Sequence, residues 1–286
     1  TQAQGPTESL TLGAAHSLGL VLPSPDGWVL TPTLAFLADG AWQSLIAIIC
    51  HQISYLELAA DGPRVDSTLP RAQFEAHAGR YLHFLGGVDF SHREHSRWLA
   101  ATPELRSCRS LVDLGGGLGT FSLAWVQSDA ERSALVLDLP GVTQHIQIPA
   151  GLRTRLRTGD LDLNDFTGVP GPADLYLLAN VLHLFPDWPR VVATAAVSMP
   201  ATARLAIFEA EKDTAAGRLF NLQVHMRAGF RAGLLPDAEV EEVLRANGLD
   251  QITVKYLQRS DDPFRRRYRL WLARRGEKVR PPRTSS

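Results

Sequence analysis

Two groups of residues in this sequence have the types and spacing to do chemistry. The first is LVDLGGGLGT, Leu111 to Thr120: an apolar run carrying the acid Asp113, then alternating glycines at Gly115, Gly117 and Gly119. Glycine at such positions lets the backbone approach a bulky ligand and adopt positive φ without strain. The second group is His183, which follows the apolar run DLYLLANVL, and Glu209, which ends the run RLAIFE. An imidazole that titrates near neutral pH can take a proton from an attacking group, and a carboxylate can orient the ring and stabilise its charged form.

The glycine spacing narrows the ligand. A dinucleotide fingerprint needs its third glycine three residues after the second, yet Thr120 stands there and the glycine is Gly119. Pyrophosphate binding is therefore disfavoured. Asp138 closes the next apolar run, ALVLD, about twenty residues beyond the loop, where a second strand end reaches ribose hydroxyls. Together these residues read as nucleoside recognition without phosphates, a description that S-adenosylmethionine fits because its adenosine carries a sulfonium and an amino acid. Further on, Asp160 has two readings: an acceptor for the adenine amino group, with Leu161 against the ring, or a turn carboxylate.

The elements that must position these residues follow from the pattern after Thr102-Pro103. Strand-like and helix-like runs alternate there, which predicts an α/β fold built on a parallel sheet with crossover helices. Asp113, Asp138, Asp160, His183 and Glu209 each punctuate a strand end, so the switch-point rule gathers them on one rim. In the last predicted strand, Tyr268, Leu270 and Leu272 alternate with Arg267, Arg269 and Trp271, which predicts one solvated face. Three parts result: residues 1–101, a main domain over 102–276, and a flexible tail over 277–286.

Composition removes several function classes. With 286 residues, 45% of them hydrophobic, the chain can bury a large core, and a net charge of −1 exerts no pull on nucleic acid or anionic membrane. No apolar run approaches the ~20 residues of a membrane span, and no signal-peptide pattern opens the chain, so a cytoplasmic location is expected. The two cysteines, Cys50 and Cys108, form no framework, and no residues stand at metal-ligand spacing. His77, His83, His92 and His95 read as solvated or core-edge histidines, one of them a candidate to line a pocket.

Before Thr102 the sequence reads as helix, hairpin and helix, with the hairpin at VLPSPDGWVL. This is the outline of a winged helix, but no lysine or arginine precedes Arg64, and phosphate contacts need them. DNA binding is not expected. The segment Trp42 to Leu58 is apolar on nearly every face, which predicts that a second copy of the chain covers it in a homodimer.

DLGGGLG, LDLPGV (Leu137 to Val142), Gly159-Asp160, NVLH (Asn180 to His183) and the strand ending at Glu209 occur in one order. In this the chain resembles the hydroxyl-directed methyltransferases related to plant caffeate and bacterial antibiotic O-methyltransferases. The resemblance implies a class I methyltransferase fold, Rossmann-like, with a seven-stranded sheet, helices on both faces and a truncated winged-helix dimerisation domain in front. It implies S-adenosylmethionine, or S-adenosylhomocysteine as product, held by Asp113, Gly115, Gly117, Gly119, Asp138, Leu139, Asp160, Leu161 and Asn180, with no metal. His183 falls on the family's base and Glu209 on the glutamate that orients it; Asn221, His225 and Met226 fall among the acceptor contacts.

Two departures stand out. Ala179 replaces a lysine that meets the cofactor carboxylate, and Leu234 falls where a second glutamate is expected. The function expected is O-methyl transfer to a small molecule, in secondary metabolism. The alternative is a relative that keeps the cofactor without transferring its methyl, such as a pericyclase or hydroxylase.

Overall fold

Alternation between two apolar faces shapes the sheet in this computed structural model, which describes residues 92–214, 233–258 and 267–276, with 16, 21–25, 27–30, 82, 85–86, 217–218 and 221. A short antiparallel pair, β1 (Val21–Ser24) and β2 (Gly27–Leu30), forms the expected hairpin. The main sheet comprises β3 (Ser110–Leu114), β4 (Ser133–Asp138), β5 (Leu156–Asp160), β6 (Leu175–Ala179), β7 (Arg204–Ala210), β8 (Gln251–Gln258) and β9 (Arg267–Arg274). Its order is β5-β4-β3-β6-β7-β9-β8. The first five strands run parallel, while β9 pairs antiparallel with both β7 and β8.

Side chains two apart along a strand share a face, so each inner strand feeds two cores. Val112, Leu114, Tyr176, Leu178, Leu205, Ile207 and Trp271 pack on one face. That face is covered by α4 (Trp188–Ser198) and α5 (Asp237–Ala246), through Val191, Val192, Val240 and Leu244. Leu111, Leu177, Phe208, Tyr268 and Leu270 pack on the other, under α1 (92–100) and α2 (Thr120–Ser128), through Leu99, Phe121 and Trp125. Burial on both faces explains why β6 reads LYLLA without alternation.

Strand β9 corrects the expectation of a solvated face. It lies inside the sheet, and α5 covers the side on which its arginines stand. Arg269, 7% exposed, pairs with Glu211 and with Asp237 at the start of α5. Alternation of arginine with apolar residues here marks a charged network under a helix, not a wet surface.

Chain direction sets the location of a ligand. From β3 the chain moves outward to β4 and β5, then returns to β6 on the other side of β3. The crevice at a reversal of this kind is where open α/β sheets bind ligands. Trp42 to Leu58, on which the dimer expectation rests, lies outside the described residues, as do His77 and His83.

Candidate functional site

At the carboxyl end of β3 the chain turns through Gly115, Gly117 and Gly119, with φ of 68°, 58° and 80°. These are values that glycine adopts freely. Space is also limiting, since a Cβ on Gly115 would stand 2.5 Å from Val181 Cγ2. Gly116, which the spacing argument passed over, is equally constrained: its Cβ would lie 2.7 Å from Val136 and 2.8 Å from Asp113.

Two carboxylates flank this loop. Asp113 is 1% exposed; Ser122 Oγ donates to its Oδ2 at 2.8 Å, and its Oδ1 has no hydrogen-bond partner among the described residues. Burial pushes its pKa up to about 7, with the Asp138 charge adding to the push and the Ser122 hydrogen bond opposing it. Asp138, at the end of β4, accepts from the amides of Gly117 at 2.8 Å and Leu139 at 2.7 Å. Burial raises its pKa too, against those amides and with the help of Asp162.

These residues line one open cleft with a volume of about 150 Å³. Asp113, Gly115, Gly117, Asp138, Leu139, Leu161 and Asn180 all line it. Gly119 and Asp160 do not. Asp160 is exposed and accepts from Thr143 Oγ1 at 2.6 Å, whereas Asp162, two residues on, faces the cleft. The string GDLD offers two acids, and sequence reasoning chose the first; the chain leaves β5 at Asp160, and the turn brings the second one inward.

Beyond β6 the backbone takes an unusual path. Asn180 has φ 53°, the one described non-glycine residue with positive φ, and its N–H donates to Phe208 O at 2.8 Å. A short 3-10 helix, Leu182–Leu184, then presents His183. His183 Nδ1 is 2.7 Å from Glu209 Oε2, and the same carboxylate accepts at Oε1 from the amides of Val181 at 3.0 Å and Leu182 at 2.9 Å. Glu209 is fully buried and His183 is 3% exposed. One buried carboxylate thus holds both the turn and the ring. A carboxylate oxygen at this distance from Nδ1 favours the ring tautomer that carries its proton on Nδ1.

His183 is not on the cleft lining, although its neighbours Val181 and Leu184 are. On its other side, Gly233 N–H donates to His183 O at 3.1 Å. Leu234 is 2% exposed and packs in the core, so no second carboxylate joins the pair from that position. Asn221 Oδ1 accepts from Leu234 N at 2.6 Å and so fixes this strap; His225 and Met226 lie outside the described residues. Among the described histidines, His92 reaches the cleft. Nothing local in the sequence distinguishes it from His95, which packs 4.3 Å from the Tyr268 ring in the core.

Among the described residues no group of three or more His, Cys, Asp or Glu is placed to hold a metal ion, and no described helix is long and apolar enough to cross a membrane.

Residues 81–202 match the O-methyltransferase domain family. Over 116 residues the chain is 32% identical to the O-demethylpuromycin-O-methyltransferase of Streptomyces alboniger, taking in 37% of this chain and 29% of that protein. Over 111 residues it is 33% identical to the acetylserotonin O-methyltransferase of Bos taurus, taking in 37% of this chain and 30% of that protein. The match thus spans about three tenths of these curated relatives. Likeness of fold runs further. The structure of human N-acetylserotonin methyltransferase, solved with S-adenosylmethionine, aligns at a TM-score of 0.68 and 17% identity, over 95% of this chain and 83% of that one.

Proposed function

We propose that this chain, whose residues 81–202 match the O-methyltransferase domain family, is a member of that family and methylates a hydroxyl of a small molecule at the expense of S-adenosylmethionine, with His183 as the general base.

The cleft suits that cofactor. Its described lining carries three carboxylates, Asp113, Asp138 and Asp162, and neither lysine nor arginine. Such a lining repels phosphates and favours a ligand bearing a sulfonium and an ammonium. The partnerless Oδ1 of Asp113 is an acceptor that a cationic ligand satisfies, and the glycine turn leaves the space that a Cβ would fill. Asp138, at the end of β4, is positioned for a ribose. When bound, the cofactor supplies an electrophilic methyl group.

The His183–Glu209 pair carries the reading. As the acceptor oxygen reacts, His183 Nε2 takes its proton; the ring becomes imidazolium, and Glu209 Oε2 at 2.7 Å offsets the new charge. Because Leu234 contributes no carboxylate, Glu209 alone performs this function among the described residues. Both curated relatives are named for transfer to oxygen, which supports a hydroxyl acceptor, and we assign that acceptor to secondary metabolism. The same reading extends to assembly and location: a cytoplasmic homodimer joined through residues 42–58, with residues 1–101 as the dimerisation and lid domain and 102–276 as the catalytic domain.

The test uses methyl-labelled S-adenosylmethionine and a panel of hydroxylated aromatic compounds. Label recovered in a methyl ether supports the reading. Binding of cofactor without label transfer to any hydroxyl, amine, thiol or carboxylate acceptor overturns it.

A further inference from the structure

One imidazole in the cleft has no part in the proton transfer. His92, on α1, lines the cleft with Asn180 and Phe121. Its Nε2 is 3.4 Å from Asn180 Nδ2, and its ring packs 5.8 Å from that of Phe121. Helix α1 is thereby tied to the end of β6, across the crevice where the strand order reverses.

The order of the strands gives the cleft two ends. Asp138 ends β4, and Asp162 follows β5, so the acids that suit a nucleoside gather on one side of the glycine turn. Asn180 and His92 occupy the other side, beyond β3 at β6. A nucleoside whose ribose meets Asp138 must extend its remaining part over Gly115 to Gly117 toward His92. In S-adenosylmethionine that part is an amino acid, with an ammonium and a carboxylate. The ammonium can satisfy Asp113. The carboxylate would meet a lining whose ionisable groups are otherwise acids, and His92 is the only side chain among the described lining residues able to carry positive charge. Ala179, next to Asn180, offers none.

We propose that His92, together with the side-chain amide of Asn180, binds the carboxylate of the cofactor, so that α1 closes the amino-acid end of the cleft. This rests on the S-adenosylmethionine reading above. In the structure Asn180 Nδ2–H donates to His92 Nε2 at 3.4 Å; with a carboxylate bound and Nε2 protonated, the two nitrogens would instead each donate to one of its oxygens. The left-handed backbone of Asn180, held by Phe208 O, fixes one member of the pair. Packing against Phe121 fixes the other.

Two ligands separate this role from simple wall-forming. S-adenosylhomocysteine carries the amino acid; methylthioadenosine keeps the nucleoside and the sulfur without it. Both are titrated calorimetrically into wild type, His92→Ala and His92→Lys. His92→Ala should weaken S-adenosylhomocysteine about tenfold to a hundredfold, the range of one hydrogen bond to a charged group, and leave methylthioadenosine within about twofold. His92→Lys should recover most of the loss. Equal weakening of both ligands, or an unchanged affinity for S-adenosylhomocysteine in His92→Ala, overturns the assignment. If the wild-type protein binds neither ligand, the cofactor reading itself fails, and the assignment falls with it.

Discussion

The glycine cleft and the His183–Glu209 pair stand on the same edge of one sheet, yet they are built on different principles. The cleft is open to solvent and made of backbone: three glycines at positive φ, and a carboxylate, Asp138, held by two amides. The pair is buried, and its single carboxylate serves the ring and two backbone N–H groups together. A site of the first kind can lose one side chain and keep its shape. In the second, removal of the carboxylate disturbs the chemistry and the fold at once. Under the proposed function, binding and proton transfer are therefore separable by mutation.

His183→Ala has the largest expected effect: turnover should fall by roughly 10²–10⁴ fold, while affinity for S-adenosylhomocysteine stays within about twofold. Steady-state rates and titration calorimetry on one preparation check both. Asp138→Ala should show the reverse pattern. It removes charge-assisted hydrogen bonds worth about 1.5–3 kcal/mol each, so affinity should drop by about a hundredfold or more, while the amides of Gly117 and Leu139, which line the open cleft, can turn to water, so the thermal midpoint should fall less than in Glu209→Ala. Equal losses of rate and affinity in both variants would break the comparison.

Glu209 lies between these cases. Glu209→Ala leaves two buried N–H groups unsatisfied, at about 1–3 kcal/mol each, so it should lower the thermal midpoint as well as turnover. Glu209→Gln keeps an oxygen for those amides and should recover stability more than rate.

The smallest effect belongs to Asp113. Its folded pKa is raised by burial from 3.8 to about 7, so the native state holds its proton more tightly than the unfolded chain does. That contribution is complete below about pH 3.8 and is lost as pH rises through about 7. Asp113→Asn keeps an acceptor for Ser122 and cannot ionise. Its thermal midpoint should therefore decline less than that of the wild type between pH 5 and pH 8, both set about the shifted value.

How much of this was legible in the sequence depended on how local each signal is. LVDLGGGLGT, Asp138 and the strand-end positions of His183 and Glu209 could be read because strand period, turn residues and chain order determine them. The partnership of the last two was legible too, because a carboxylate ending the neighbouring strand can reach the ring, and His183 Nδ1 lies 2.7 Å from Glu209 Oε2. Other features depend on packing between distant segments. The arginines of β9 alternate with apolar residues as on a wet face, but the docking of α5 buries Arg269 in an ion network with Glu211 and Asp237, while Arg267 at the strand's start stays half-exposed. Asp160 and Asp162 are interchangeable in the string and distinguished by the turn after β5. His92 reaches the cleft because α1 packs over Phe121, a contact between residues 29 positions apart in sequence.

The central claim is that Glu209 holds the proton of His183 on Nδ1 and leaves Nε2 as the base. Nitrogen NMR of ring-labelled histidine, with His183→Ala to assign the signal, measures this directly. In the neutral ring the account predicts a protonated Nδ1 and an unprotonated Nε2, with that pattern weakened in Glu209→Gln; a proton resident on Nε2 in the wild type would contradict it.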